Sequence, residues 1–167
     1  MRFDPTLTPD TFDAVDALLD NTFPGDFESK LAKKLRAGGA MTAEHGLWDG
    51  ASLIGYVAYS PVSVDGCTTS KTLLGLGPMA IASSQQGNGI GLDLLKQSVA
   101  ATNADGVILL GHVGFYKHAG FGPAANFGLH FSDNPEMEAA FMALEVSKGA
   151  FHGVSGRIVY HSSFYEG

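Results

Sequence analysis

Ser84-Gln85-Gln86-Gly87-Asn88-Gly89-Ile90-Gly91-Leu92 is the stretch on which the reading of this chain turns. An apolar, strand-like run, Leu73 to Ala82, precedes it. Leu94, Leu95 and Val99 follow it at helical spacing. A strand feeding a glycine-rich turn that opens a helix is suited to hold an anion. The first N–H groups of a helix lack internal partners and point outward at the positive end of its dipole. Glycines let a ligand approach the backbone closely and permit positive φ. The stretch therefore predicts a pyrophosphate seat.

Two commoner phosphate loops do not fit. A Walker-type loop needs Lys and then Ser or Thr after its last glycine. Here Gly91 is followed by Leu92-Asp93. A dinucleotide fingerprint needs G-x-G-x-x-G. Counted from Gly87 its third glycine position is Leu92, and counted from Gly89 it is Leu94. What remains is Gln86-x-x-Gly89-x-Gly91 after a strand interrupted by Gly75, Gly77 and Pro78. Glycine and proline inside a strand predict a bulge or a place where pairing stops. A strand that leaves its neighbour exposes N–H and C=O groups to which an extended, amide-bearing ligand can bond.

Working outward, 167 residues suit one domain, read as spanning 1–167. Hydrophobic residues at 45% and charged residues at 16% belong to a globular chain. The net charge of −7 disfavours a nucleic-acid partner, whose phosphates need a basic surface. Cys67, the single cysteine, sits in a turn and reads as a small apolar residue. The first residues lack a secretory pattern, and no apolar run nears the roughly 20 residues of a membrane span. A cytoplasmic protein without membrane partners is expected. The histidines show no metal-ligand spacing, so no metal site is expected.

In chain order, Met1 to Pro5 predicts an edge strand. Thr8-Pro9 opens a helix bearing Phe12, Val15, Leu18 and Leu19. Phe23-Pro24-Gly25 ends it. A second helix carries Phe27, Leu31 and Leu35 along one face and ends at Gly38-Gly39. Its basic residues Lys30, Lys33, Lys34 and Arg36 read as a solvated face. Leu47 to Asp49 is a short strand, and Leu53 to Val62 a central one covered on both faces. After the turn come a helix from Gly89 to Thr102, a buried strand from Val107 to Leu110, and a helical turn at Phe115 to His118. The tail offers strand candidates Asn126 to Phe131, Ala139 to Glu145 and Val154 to Tyr160, with a turn at Asp133-Asn134-Pro135. This order predicts an α/β (α+β) fold, a mixed sheet with helices on its faces.

These residues resemble the GCN5-related N-acetyltransferase (GNAT) superfamily, which carries Q/R-x-x-G-x-G/A at the start of the helix after its fourth strand. Tyr116-Lys117-His118-Ala119-Gly120-Phe121 matches the superfamily's Y-x-x-x-G-F. Phe23 to Arg36 and the ending Gly153-Val154-Ser155-Gly156…Val159-Tyr160-His161 are similar to its small bacterial YhbS-like branch. The resemblance covers nearly the whole chain. It implies a mostly antiparallel sheet splayed between the fourth and fifth strands, with acetyl-CoA as acyl donor. It places the backbone of Met79 and Ile81 against pantetheine. Gln86, Gly87, Asn88, Gly89, Ile90 and Gly91 would surround the pyrophosphate. Gln86 stands where arginine is common, which removes a charge but leaves the amides.

Acetyl transfer needs an unprotonated amine, an N–H donor for the developing oxyanion, and a proton for the departing thiolate. The resemblance makes Tyr116 the general acid, and a phenol is protonated at neutral pH. The run Leu73 to Ala82 lacks the carboxylate that many members use as base. Glu28 and His112 are the candidates elsewhere, and a water relay would need neither. The function implied is transfer of an acetyl group to a primary amine by direct attack in a ternary complex. The alternative is a coenzyme A binding or sensing module without chemistry. Polyamines, amino acids, aminoglycosides and protein termini all stay open as acceptors. Tail strands in this superfamily often pair between subunits, so a homodimer is a further implication.

Overall fold

The computed structural model describes residues 1–166. Strand β1 (Arg2–Asp4) leads through a short 3₁₀ turn to helices α1 (Phe12–Thr22) and α2 (Phe27–Ala37). Strands β2 (Ala43–Asp49), β3 (Ser52–Pro61), β4 (Ser63–Val64) and β5 (Leu73–Ile81) follow. Helix α3 (Ile90–Ala101), strand β6 (Gly106–Leu110) and the short helix α4 (Val113–Tyr116) come next. The tail holds β7 (Gly122–Pro123), β8 (Leu129–His130), helix α5 (Pro135–Ala139), β9 (Phe141–Glu145) and β10 (Gly156–Val159).

Seven strands form the main sheet in the order β1-β2-β3-β5-β6-β9-β7. All its neighbours are antiparallel except β5 and β6. A smaller sheet orders β4-β10-β8. β3 alternates between two buried faces, as its apolar run predicts. Tyr56 and Ala58 join Val15, Leu18 and Leu19 of α1 on one side. Val57 and Tyr59 join Leu94, Leu95 and Val99 of α3 on the other. Both helices thus clamp the same central strand, and each buries one apolar stripe.

The tail departs from its sequence reading in two places. Of Asn126 to Phe131, only Leu129–His130 pairs as a strand, and Ala124–Phe127 is 3₁₀. Phe127, Leu129 and Phe131 alternate as a strand would. Gly128, at φ +73°, turns the chain between them, and the three side chains pack against one cluster instead. Asp133-Asn134-Pro135 opens α5 rather than a plain turn. The Asn134 side chain caps the Glu136 and Met137 N–H groups, with Pro135 at the first helical position.

Arg36 also departs from the expected solvated face. Lys30, Lys33 and Lys34 are exposed and pair with Asp26, Asp16 and Glu166. Arg36 turns inward, binding Glu44 through Nε at 2.9 Å and Nη2 at 2.6 Å, with its guanidinium 3.7 Å from the centre of the Phe12 ring.

Candidate active site

The main sheet parts at its fourth and fifth strands, β5 and β6. They pair only through Leu73, Leu74 and Gly75 against Gly106, Val107 and Ile108. Asp105 pins the closed end. Its carboxylate accepts the Thr72 N–H at 2.8 Å and the Ser147 hydroxyl at 2.9 Å. Those two donors, the Thr72 N–H first, hold its pKa below the usual carboxylate value. Beyond Gly75, β5 bulges, with Tyr59 opposite Leu76 but Val57 opposite Met79. Gly77 and Pro78 occupy the bulge, joined by a cis peptide.

The direction of the freed backbone groups follows from the ladder. Ala82 N–H bonds to Ile54 C=O at 2.8 Å. Bonded and non-bonded residues alternate in an antiparallel pair. Ala80, opposite Tyr56, therefore faces β3 as Ala82 does. Met79 and Ile81 direct their N–H and C=O groups to the other side, into the split. The side-chain amide of Gln86 already occupies one of these, donating to Ile81 C=O at 2.9 Å. Gln86 thereby ties the glycine turn to the end of β5.

The turn itself keeps its donors free. Gly87 and Gly89 have φ of +84° and +85°, and a Cβ on either would meet nothing within 4 Å. The first bond within α3 is Asp93 N–H to Gly89 C=O. Among the described residues, the N–H groups of Gly87, Gly89, Gly91 and Leu92 have no partner. Asn88 is turned inward on the motif, its side-chain oxygen 3.4 Å from the Ile90 N–H. Ile90 packs against the core.

Two grooves meet at the split. The first, about 560 Å³, runs along Met79, Ala80 and Ile81 to Gln86, Gly87, Gly89 and Gly91. The second, about 460 Å³, lies toward α2 and the tail, and Glu28, Tyr116 and Tyr160 line it. Phe23, Met79 and His112 line both. The sequence-predicted residues are thus divided. Tyr116 and Glu28 are on the second groove, the glycine turn is on the first, and His112 stands at the junction.

Tyr116 is held from several sides. Its ring packs edge-on against Phe115 and Phe121, and its hydroxyl lies 3.8 Å from Met79 Sδ. Burial pushes its pKa up to about 12. Gly111 makes room for it, since a Cβ there would lie 2.4 Å from Tyr116 Cε2. Sequence reading missed Gly111, and also Phe131, Met137 and Phe164, which line the second groove. Phe23 carried a signal, standing at the end of α1 before Pro24-Gly25, but only for the helix end.

A half-split sheet beside an unshielded helix start, with a half-buried phenol across the opening, is the architecture of the coenzyme A-dependent N-acetyltransferases. No protein-family model matches the chain. YhbS of Escherichia coli strain K12, an uncharacterized N-acetyltransferase, is 35% identical over 156 residues, 90% of each chain. The chain therefore belongs to the GNAT family of N-acetyltransferases, and YhbS is a relative within it. The crystal structure of E. coli YhbS in complex with CoA superposes with a TM-score of 0.88 at 31% identity, covering 99% of this chain and 92% of that one. A GNAT acetyltransferase from Brucella melitensis in complex with acetyl-CoA shares the fold at a TM-score of 0.77 and 23% identity, covering 98% and 97%.

Proposed function

We propose that this chain transfers an acetyl group from acetyl-CoA to a primary amine. The observation that carries the proposal is the pairing of the open β5 edge with unpartnered N–H groups at the glycine turn. The first suits the amides of pantetheine, and the second suits the pyrophosphate, with the α3 dipole adding its positive end. Relatives crystallised with CoA and acetyl-CoA support the same donor.

The two grooves give each substrate its own approach, so the amine meets the thioester directly. The backbone of Met79, facing the split, offers its N–H to the developing oxyanion. The amine nitrogen attacks the thioester carbon, and the C–S bond breaks. An ammonium loses two protons in becoming the amide. His112, at the junction, takes the first, directly or through one water, and passes it to solvent. The second balances the thiolate. In this reading the Tyr116 phenol, beside Met79, gives its proton to that sulfur and is restored by the proton leaving nitrogen. A phenol at about 12 holds its proton more tightly than an ordinary thiol. Burial of a thiolate in the same dry split raises its basicity too, which narrows the mismatch.

β5 carries no carboxylate, and that favours a second reading, a module that binds coenzyme A without chemistry. Saturating CoA is expected to stabilise the protein by about 2.7 kcal/mol at a hundred times Kd, read as a shift in Tm. Acetyl-CoA with a panel of amines is expected to release free thiol. No thermal shift with CoA would overturn the donor site. A shift without thiol release on any amine would leave the binding module.

A further inference from the structure

We infer that the acceptor is a primary amine on an apolar, ring-sized body, an arylalkylamine, with Glu28 as the anchor for its ammonium group. This rests on the acetyl-transfer reading and narrows its second substrate.

The second groove is walled by rings. Phe23, Phe27, Phe131, Tyr160 and Phe164 all face it, from the end of α1, from α2 and from the tail. Its mouth keeps apolar groups in water, with Phe27 and Met137 each 39% exposed and Leu110 36% exposed. Exposed apolar groups clustered at a cleft mark a surface that an apolar partner covers. About 460 Å³ suits one small molecule.

Charge narrows the choice further. Among the described residues Glu28 is the only carboxylate in the lining, and they bring no lysine or arginine to it. One cation therefore has a partner. A polyamine or aminoglycoside would bring further cations into an aromatic groove with nothing to replace their water. A free amino acid would bring a carboxylate beside Glu28 with no cation to balance it. An amine with one charge and an aromatic body meets neither cost, and ring faces favour its ammonium as well.

The probe is 2-phenylethylamine, titrated calorimetrically into the full chain saturated with CoA. Spermidine, 2-phenylethanol and a peptide with an N-terminal phenylalanine serve as comparisons. 2-Phenylethylamine is expected to bind at least tenfold tighter than spermidine. Glu28→Gln, which keeps shape, should weaken it at least tenfold and leave 2-phenylethanol unchanged. Equal or tighter binding of spermidine overturns the inference, as does an unchanged affinity in Glu28→Gln. Binding of the peptide but not of 2-phenylethylamine also overturns it, in favour of a protein terminus. Thiol release separates the two levels. Spermidine acetylated in preference to 2-phenylethylamine sinks the acceptor class and leaves acetyl transfer standing. 2-Phenylethylamine bound without thiol release on any amine sinks acetyl transfer and leaves the groove's preference standing.

Discussion

Burial keeps Tyr116 protonated beyond the ordinary phenol range, and the absence of a side chain at Gly111 leaves room for its ring. Desolvation penalises the phenolate and pushes the pKa up to about 12. The phenol therefore stays a donor through the whole alkaline range in which an amine is free to attack. With a good acceptor, kcat is expected to hold level from pH 8 to pH 10, and a fall centred near 10 would mean a phenol reached by water. Tyr116→Phe should lower kcat by about 10²-fold, the lower end of general acid effects, with the KM for acetyl-CoA within twofold of wild type. Gly111→Ala drives a Cβ to 2.4 Å from the Tyr116 ring, which must then move. Its cost in stability should be about 1–3 kcal/mol, as for overpacking. Its effect on kcat should be absorbed by Tyr116→Phe, so that the double variant is no slower than the slower single one. Additive losses would show that Gly111 acts on something other than Tyr116.

Helix α2 presents Glu28 and Leu31 to the second groove, and Arg36 fixes its far end. Arg36 from α2, Glu44 from β2 and Tyr56 from β3 meet on one oxygen. Glu44 Oε1 accepts from Arg36 and, at 2.7 Å, from the Tyr56 hydroxyl. The Arg36 and Glu44 side chains are 14% and 9% exposed, so this is a pair removed from water. Removing one partner of such a pair strands the other charge. Arg36→Met is expected to cost about 3 kcal/mol in urea unfolding, and adding Glu44→Gln, which still accepts from Tyr56, should restore most of it. A single-variant cost below about 0.5 kcal/mol would class the pair with solvent-screened bridges. Sequence patterning could not distinguish Arg36 from its lysine neighbours, because the four sit mostly off the apolar stripe. What decided its direction was a carboxylate eight residues on, in another element. The same limit explains the tail. β3, β5 and α3 were legible because each carries its own pattern of burial or turn. Phe127, Leu129 and Phe131 had the period of a strand but are set by Gly128 and by the cluster they fill.

Much of the first groove was legible, since strand, turn and helix start are contiguous in sequence. The second groove was not, because it is assembled from the end of α1, α2, β5, the loop at His112 and a tail more than 100 residues away from the first of them. What holds these parts in register is the central sheet, and α3 is fastened to it partly by a buried polar cluster. His45 of β2 has its Nδ1 2.7 Å from Ser98 Oγ of α3, and the Tyr59 hydroxyl of β3 lies 2.9 Å from the same oxygen. Phe3 packs edge-on against the imidazole. Burial depresses the His45 pKa below its ordinary 6.5, and the nearby Asp4 carboxylate only partly opposes this. The consequence for stability has a definite sign. Unfolded His45 takes a proton near 6.5, whereas folded His45 takes it only at lower pH. Below 6.5 the unfolded chain binds more protons, and acid favours unfolding. The stabilisation is complete above about pH 6.5 and is lost as the pH falls through the folded value. One proton is involved, so this contribution cannot exceed about 1.4 kcal/mol per pH unit. Urea unfolding of wild type between pH 7 and pH 5 should show a falling stability, and His45→Gln should flatten it, although the variant starts lower through lost packing. An equal slope in both proteins would place the acid sensitivity on other groups and remove His45 from the account.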